Sequence, residues 1–202
     1  EWREPDYLEL RTAWPLAEDA KAALEARALG RTLRLGYGGA RQDRHGRALA
    51  HLYLEDGAWL QGELLLAGLA RVYSFADNRA LVAEMLALEK NARAARRGIW
   101  RERYYCIAQA DEARGQLDRF ALVEGRVLSA SVVGGRGYLN FGADWRTDFT
   151  VSADARSRRL CESAGLPLAG LEGRRIRARG WIESFNGPMI ELTHPEQIEV
   201  LA

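Results

Sequence analysis

Apolar residues recur at helical spacing over Leu16, Ala20, Ala23, Leu24 and Ala28. Pro15 suits the first turn of that helix and Gly30 its stop. The residues before it are irregular and aromatic-rich, with Trp2, Tyr7 and Trp14. Leu33 and Leu35 alternate with Thr32 and Arg34, which predicts a strand. A glycine-rich, charged connection runs from Gly36 to Gly46. A second strand is predicted from Arg47 to Leu54, closed by the Asp56-Gly57 turn pair. Residues 58–67 read as a short helix ended by Gly68, and Leu69 to Tyr73 as a short extended piece. Asn78 is placed as the cap of a long helix. Leu81, Met85, Leu88 and Ala92 form its apolar stripe and Gly98 ends it.

The pattern changes near 101–118, a polar and weakly periodic stretch read as a linker. Strand signals dominate after it. Phe120 to Val133 is a long strand region, and Gly134 to Gly137 a turn. Tyr138 to Phe141 and Thr147 to Val151 are short strands, and 153–165 a helix ending at Gly165. Arg174 to Ile182 alternates basic and smaller apolar residues as a strand. Asn186-Gly187 is the strongest hairpin signal in the chain. Met189 to Leu192 and Gln197 to Leu201 complete the series. Three strands, a helix and further strands follow the element order of a five-stranded Greek-key barrel of the OB type. The expected class is α+β, mainly β. Its domains are 1–100 with three helices, a linker over 101–118, and a small OB-like barrel over 119–202.

Composition excludes whole classes of protein. At 202 residues, 48% hydrophobic and 28% charged, the chain is an ordinary globular sequence and not a disordered, collagenous or coiled-coil one. No apolar run approaches the ~18 residues of a membrane span. The net charge of +1 neither requires nor excludes a polyanionic partner. Of 29 cationic side chains only Lys21 and Lys90 are lysines, leaving 27 arginines. A GC-rich coding bias explains that ratio, as does phosphate recognition by guanidinium forks. Cys106 and Cys161 have no metal-ligand spacing and no redox-pair spacing. They are two free thiols, or one disulfide in an oxidising compartment.

No nucleophile elbow, phosphate-binding glycine loop or zinc helix motif is present. His51, inside a strand, and His194, before Pro195, read as surface or core histidines rather than ligands. The informative run is Asp43 to Tyr53. Gly46 permits a positive φ just before a strand, and Arg47 then stands at the strand's first position. Taken alone, this is a solvated surface charge or a weak anion site.

The run DRHGRALAHLYLEDGAWLQGELLLAGLARVY from Asp43, followed by a helix ending in ARRGIW, resembles the staphylococcal nuclease-like (thermonuclease) family over roughly residues 14–100. The resemblance implies a calcium-dependent phosphodiesterase acting on DNA and RNA. In that family a Glu helps activate the attacking water, two arginines bind the phosphoryl oxygens, and aspartates hold the metal. Preorganised cations lower the barrier because charge concentrates on the transferring phosphate. By this resemblance Arg47 matches the second arginine, and His45 replaces an aromatic that lies against the nucleotide. Tyr73 lies near a substrate tyrosine, and Asp43 matches a structural turn aspartate. The family's first three strands, its other arginine and its metal aspartates have no counterpart before Pro15. The chain is therefore expected to be a piece of a longer, exported bacterial protein. Glu1 stands at about the right distance before the first helix to be the catalytic Glu. No residue is assigned as a calcium ligand, and this chain alone is expected to be inactive.

The second half offers binding features. Between Arg156 and Arg179 seven arginines face only Glu162 and Glu172. Arg175, Arg177 and Arg179 share one face of a strand by the two-residue period. Tyr138, Phe141, Trp145 and Arg146 fall near the second and third strands, flanked by loops that contain Arg136 and Asn186. Phosphate attraction plus aromatic stacking is the recipe for binding single-stranded nucleic acid. Arg136, Trp145, Arg175, Arg177 and Arg179 are the candidate contacts. The competing reading is a surface of solvated or paired arginines with Phe141 and Trp145 in the core. The region is also similar to C-terminal extensions of some bacterial thermonuclease-like proteins. Two functions follow: a nuclease, or a nuclease-like module without chemistry that binds nucleic acid or protein.

Overall fold

A computed structural model describes residues 14–201. The described residues divide into two compact units, 14–72 with Asp77–Cys106, and Tyr73–Ala76 with 107–201. Glu1 lies outside the described residues.

In the first unit, helix α1 spans Ala17–Ala28 as its periodicity predicts, with no buried residue. Strands β1 (Arg34–Gly36) and β2 (His51–Tyr53) pair antiparallel, Leu35 opposite Leu52. The predicted second strand is thus shorter. Its first residues form only a bridge, Ala48 with Gln42. Helix α2 covers Leu60–Ala67 and α3 Val82–Ala94. They share a small core of Leu65, Val72 and Val82, packed against Met85 and Leu88. Two glycines let the chain approach itself closely. A Cβ on Gly68 would lie 2.3 Å from the Arg97 carbonyl oxygen, and one on Gly98 would lie 2.1 Å from that of Gly68. The Ile99 amide donates to that Gly68 oxygen at 2.8 Å.

One local expectation fails here. Asn78 does not cap α3, because its side chain donates to the Ala40 carbonyl at 3.3 Å and the helix starts after Leu81. Leu69 to Tyr73 pairs with no strand. The Val72 amide donates instead to the buried Glu89 carboxylate at 2.7 Å, which Arg93 also contacts at 3.1 Å.

In the second unit, residues 107–118 are packed. Strand β3 (Ala108–Gln109) pairs parallel with β4, a 3-10 turn spans Ala110–Gln116, and Ala108 and Ala113 are buried. The long strand region is bent into β4 (Phe120–Arg126) and β5 (Ser129–Val133). Then come β6 (Arg136–Asn140), β7 (Thr150–Ala153), α4 (Ala155–Ser163), β8 (Arg175–Ser184), β9 (Pro188–Glu191) and β10 (Ile198–Val200). Hydrogen bonding links β4-β8-β9-β7-β6-β5, with β10 on β8. Because β4 and β5 are consecutive parts of one segment, the path returns to its start and the sheet curls on itself. Among the described strands only β7 with β9 and β3 with β4 are parallel. The inner face is apolar, with Val123, Leu139, Phe149, Val151, Ile176 and Ile190 buried. The β8–β9 turn forms at Asn186 (φ 50°) and Gly187 (φ 95°), as the dipeptide predicts. Asp154 caps α4 by accepting from the Ser157 amide at 2.7 Å. That hydrogen bond, with one from the Ser157 hydroxyl, holds the Asp154 carboxyl below its ordinary pKa.

These contacts rank two substitutions. Leu139→Ala should cost about 2–5 kcal/mol by emptying the centre of the curled sheet. Asp154→Ala should cost about 0.5–2 kcal/mol through the lost cap. Urea midpoints followed by the second unit's near-ultraviolet circular dichroism check both, and the reverse order would contradict the core assignment.

Candidate functional site

The turn that carries Arg47 is built around one carboxylate. Asp43 Oδ1 accepts from the backbone amides of His45 at 2.8 Å and Arg47 at 2.9 Å. Its Oδ2 accepts from the Arg47 Nε at 2.6 Å. The backbone closes alongside, Asp43 amide to Arg47 carbonyl at 2.9 Å and Gly46 amide to Asp43 carbonyl at 3.0 Å. Gly46 takes φ 75° there, the positive value its place in the motif requires. Partial desolvation works to raise the Asp43 pKa. The hydrogen bonds from the Arg47 amide and guanidinium and from the His45 amide outweigh it and bring the carboxyl to about 2. Asp43 is therefore ionised at neutral pH and presets the Arg47 side chain. That side chain is 74% exposed, so the rest of the guanidinium fork is open to an anion.

His45 is exposed beside it, and its Nε2 accepts from Arg44 Nε at 2.9 Å. His51 is structural, as read from its position. Its Nε2 donates to the Ala80 carbonyl and its Nδ1 accepts from the Trp59 indole, both at 3.2 Å. Tyr73 belongs to the second unit. Its hydroxyl accepts from Trp181 Nε1 at 3.2 Å, and its ring packs 5.0 Å from Phe120 and 4.7 Å from Phe75. In the same unit Ser74 Oγ lies 2.7 Å from Nε2 of the buried His194.

The arginines expected to form a basic strand are balanced by carboxylates. Arg177 stands opposite Glu124 on β4 and Glu199 on β10. It binds Glu124 through Nε at 2.8 Å and Glu199 through Nη1 at 2.7 Å. Arg179, 2% exposed, donates to Glu199 at 2.9 Å, and Arg175 to Glu124 at 3.2 Å. Arg136 is closed on Glu191 at 2.7 Å and on Ser152 at 3.1 Å. Trp145 is half exposed, with the Arg146 guanidinium 4.6 Å from its ring centre. Sequence reasoning missed the carboxylate partners because they come from other strands. The two-residue alternation of Glu124 within β4 was the available signal.

Among the described residues no three His, Cys, Asp or Glu side chains converge on a metal-sized space. The described donors do not fit a calcium site. Cys106 and Cys161 form no disulfide, the first being exposed and the second buried. No helix among the described residues is long and apolar enough to cross a membrane.

The Asp43 geometry gives a pH dependence with a definite sign. The folded carboxyl titrates near 2, below its ordinary value of 3.8. Its contribution to the turn is therefore present above about 3.8 and declines as pH falls toward 2. The amide resonances of His45 and Arg47 should titrate together with a midpoint near 2. A midpoint at the ordinary carboxylate value would contradict the hydrogen bonding described.

Residues 5–102 match the family model described as staphylococcal nuclease homologue. No curated protein matches the chain.

Proposed function

We propose that the protein is nuclease-like and in its full-length form hydrolyses phosphodiester bonds of DNA or RNA. The carrying observation is the Arg47 turn, preset by Asp43 and exposed, inside the segment that matches the nuclease family model. A fixed guanidinium aimed at solvent suits a phosphoryl oxygen, whose negative charge grows in the transition state. His45 is proposed as a substrate contact and Glu1 as the group that activates water. Calcium is the metal that the family resemblance implies, and its ligands are not among the described residues.

The connectivity of the second unit supports an OB-like barrel: a three-strand meander, a helix, then a hairpin that closes onto the first strand. Such barrels bind extended partners across their outer faces.

A second reading, a binding module without chemistry, is favoured by one observation. The described residues supply an anion contact but no metal donor set. Cleavage of labelled single-stranded DNA and RNA with calcium separates the two. In the full-length protein Arg47→Ala should lower the rate about 10²–10³-fold. An unchanged rate would remove Arg47 from the site. The 202-residue chain by itself should bind a labelled oligonucleotide without cutting it, with affinity falling as salt rises. Binding without a salt dependence would rule out phosphate contacts.

A further inference from the structure

A cleft of about 400 Å³ opens on the second unit, between the outward faces of β5 and β6 and the turn before β9. Three aromatic rings line it: Tyr138 on β6, Trp145 in the loop before β7, and Phe185 in the turn. Trp145 is 50% and Phe185 62% exposed. Ser131, Asn140 and Asn186 place hydroxyl and amide groups among the rings. None of the nine lining residues carries a charge. The volume falls in the range of small-molecule sites.

The surrounding charge decides what fits. The loop that carries Trp145 also carries Asp144, Arg146 and Asp148, one cation against two carboxylates. The arginine on β6, Arg136, is paired with Glu191. A nucleic-acid strand gains its affinity from cations at successive phosphates, and this cleft offers one neighbouring guanidinium, Arg146, 4.6 Å from the Trp145 ring centre, with no cation among its lining residues. Asn140 already donates to Ser129 Oγ and accepts from Thr150 Oγ1, both at 3.2 Å, so a purely apolar ligand would leave the Asn186 amide and the Ser131 hydroxyl unmatched. A ring with C–H groups on its faces and hydroxyls on its edge meets both demands. Aromatic faces carry negative potential that attracts such C–H groups, and the hydroxyls exchange hydrogen bonds with Asn and Ser side chains.

The geometry points to a saccharide site: the cleft takes a neutral sugar residue of an oligosaccharide, stacked on Trp145 and Phe185, with its hydroxyls on Asn140, Asn186 and Ser131. This site is independent of Arg47 and of any nuclease activity.

The test is titration of the full chain, labelled with nitrogen-15, against cellohexaose, maltohexaose, N-acetylchitohexaose and an oligo-dT strand. The Trp145 indole resonance is identified by its loss in Trp145→Phe. At least one neutral sugar should shift it, with the same affinity at about 50 and about 200 mM salt. Trp145→Ala and Phe185→Ala should each weaken that binding about 10-fold, and Arg47→Ala should leave it unchanged. Both ring substitutions fall on half-exposed side chains, so unchanged amide spectra elsewhere will show that the fold is kept. Three sugars that leave the resonance in place would overturn the assignment, as would sugar binding indifferent to both ring substitutions. Oligo-dT binding abolished by Trp145→Ala, with no sugar bound, would make the cleft a nucleobase site instead.

Discussion

The bend at Val127 and Leu128 is the constraint on which the second unit rests. The Val127 amide donates to the Arg174 carbonyl at 2.9 Å, toward β8, and the Leu128 amide to the Asn140 carbonyl at 2.8 Å, toward β6. One segment thus serves both ends of the sheet. Without that turn β4 and β5 would present open edges with unpaired backbone groups. Gly125 makes the curvature possible, since a Cβ there would lie 2.7 Å from the Phe141 ring and 2.8 Å from the Ala110 Cβ. Curling also gives the sheet two different faces. The inner one buries Val123, Leu139 and Ile190, and the outer one carries the β5–β6 cleft.

The arginine-rich composition takes two forms. In the second unit the outer face of β8 is a row of ions, Glu124, Arg177 and Glu199, on three adjacent strands. Arg177 and Arg179 are largely withdrawn from water, and charges there need their partners because removing one leaves the other uncompensated. At the Asp43 turn the same pairing has another outcome. The carboxylate is mostly covered while the guanidinium stays in water. One arrangement neutralises a surface and the other aims a cation outward, so the number of arginines alone says little about what the protein binds.

Local chemistry was legible in the sequence. The Asn186-Gly187 turn and Gly46 before Arg47 each follow from residues within a few positions of one another, whereas of the stripe predicted for α3 only Ala92 is buried, Leu81 precedes the helix, and Val82 and Glu89 take the other buried places. Asp43 was read as a turn aspartate, and its bonds reach only two and four residues along the chain. The packed stretch 107–118 was not legible, because it buries two small alanines rather than a periodic apolar stripe. The short extended piece over 69–73 pairs with no strand, because the Val72 amide finds a carboxylate 17 residues away.

The sequence by itself determined most of the elements, the turn that presents Arg47 and the family to which residues 5–102 are similar, since those signals depend on neighbours in the chain. Only the tertiary structure decided which charges remain available. Arg177 meets carboxylates 53 and 22 residues distant, and Tyr73 meets an indole 108 residues away. Pairings of that range depend on strand register and sheet closure, which no local pattern encodes.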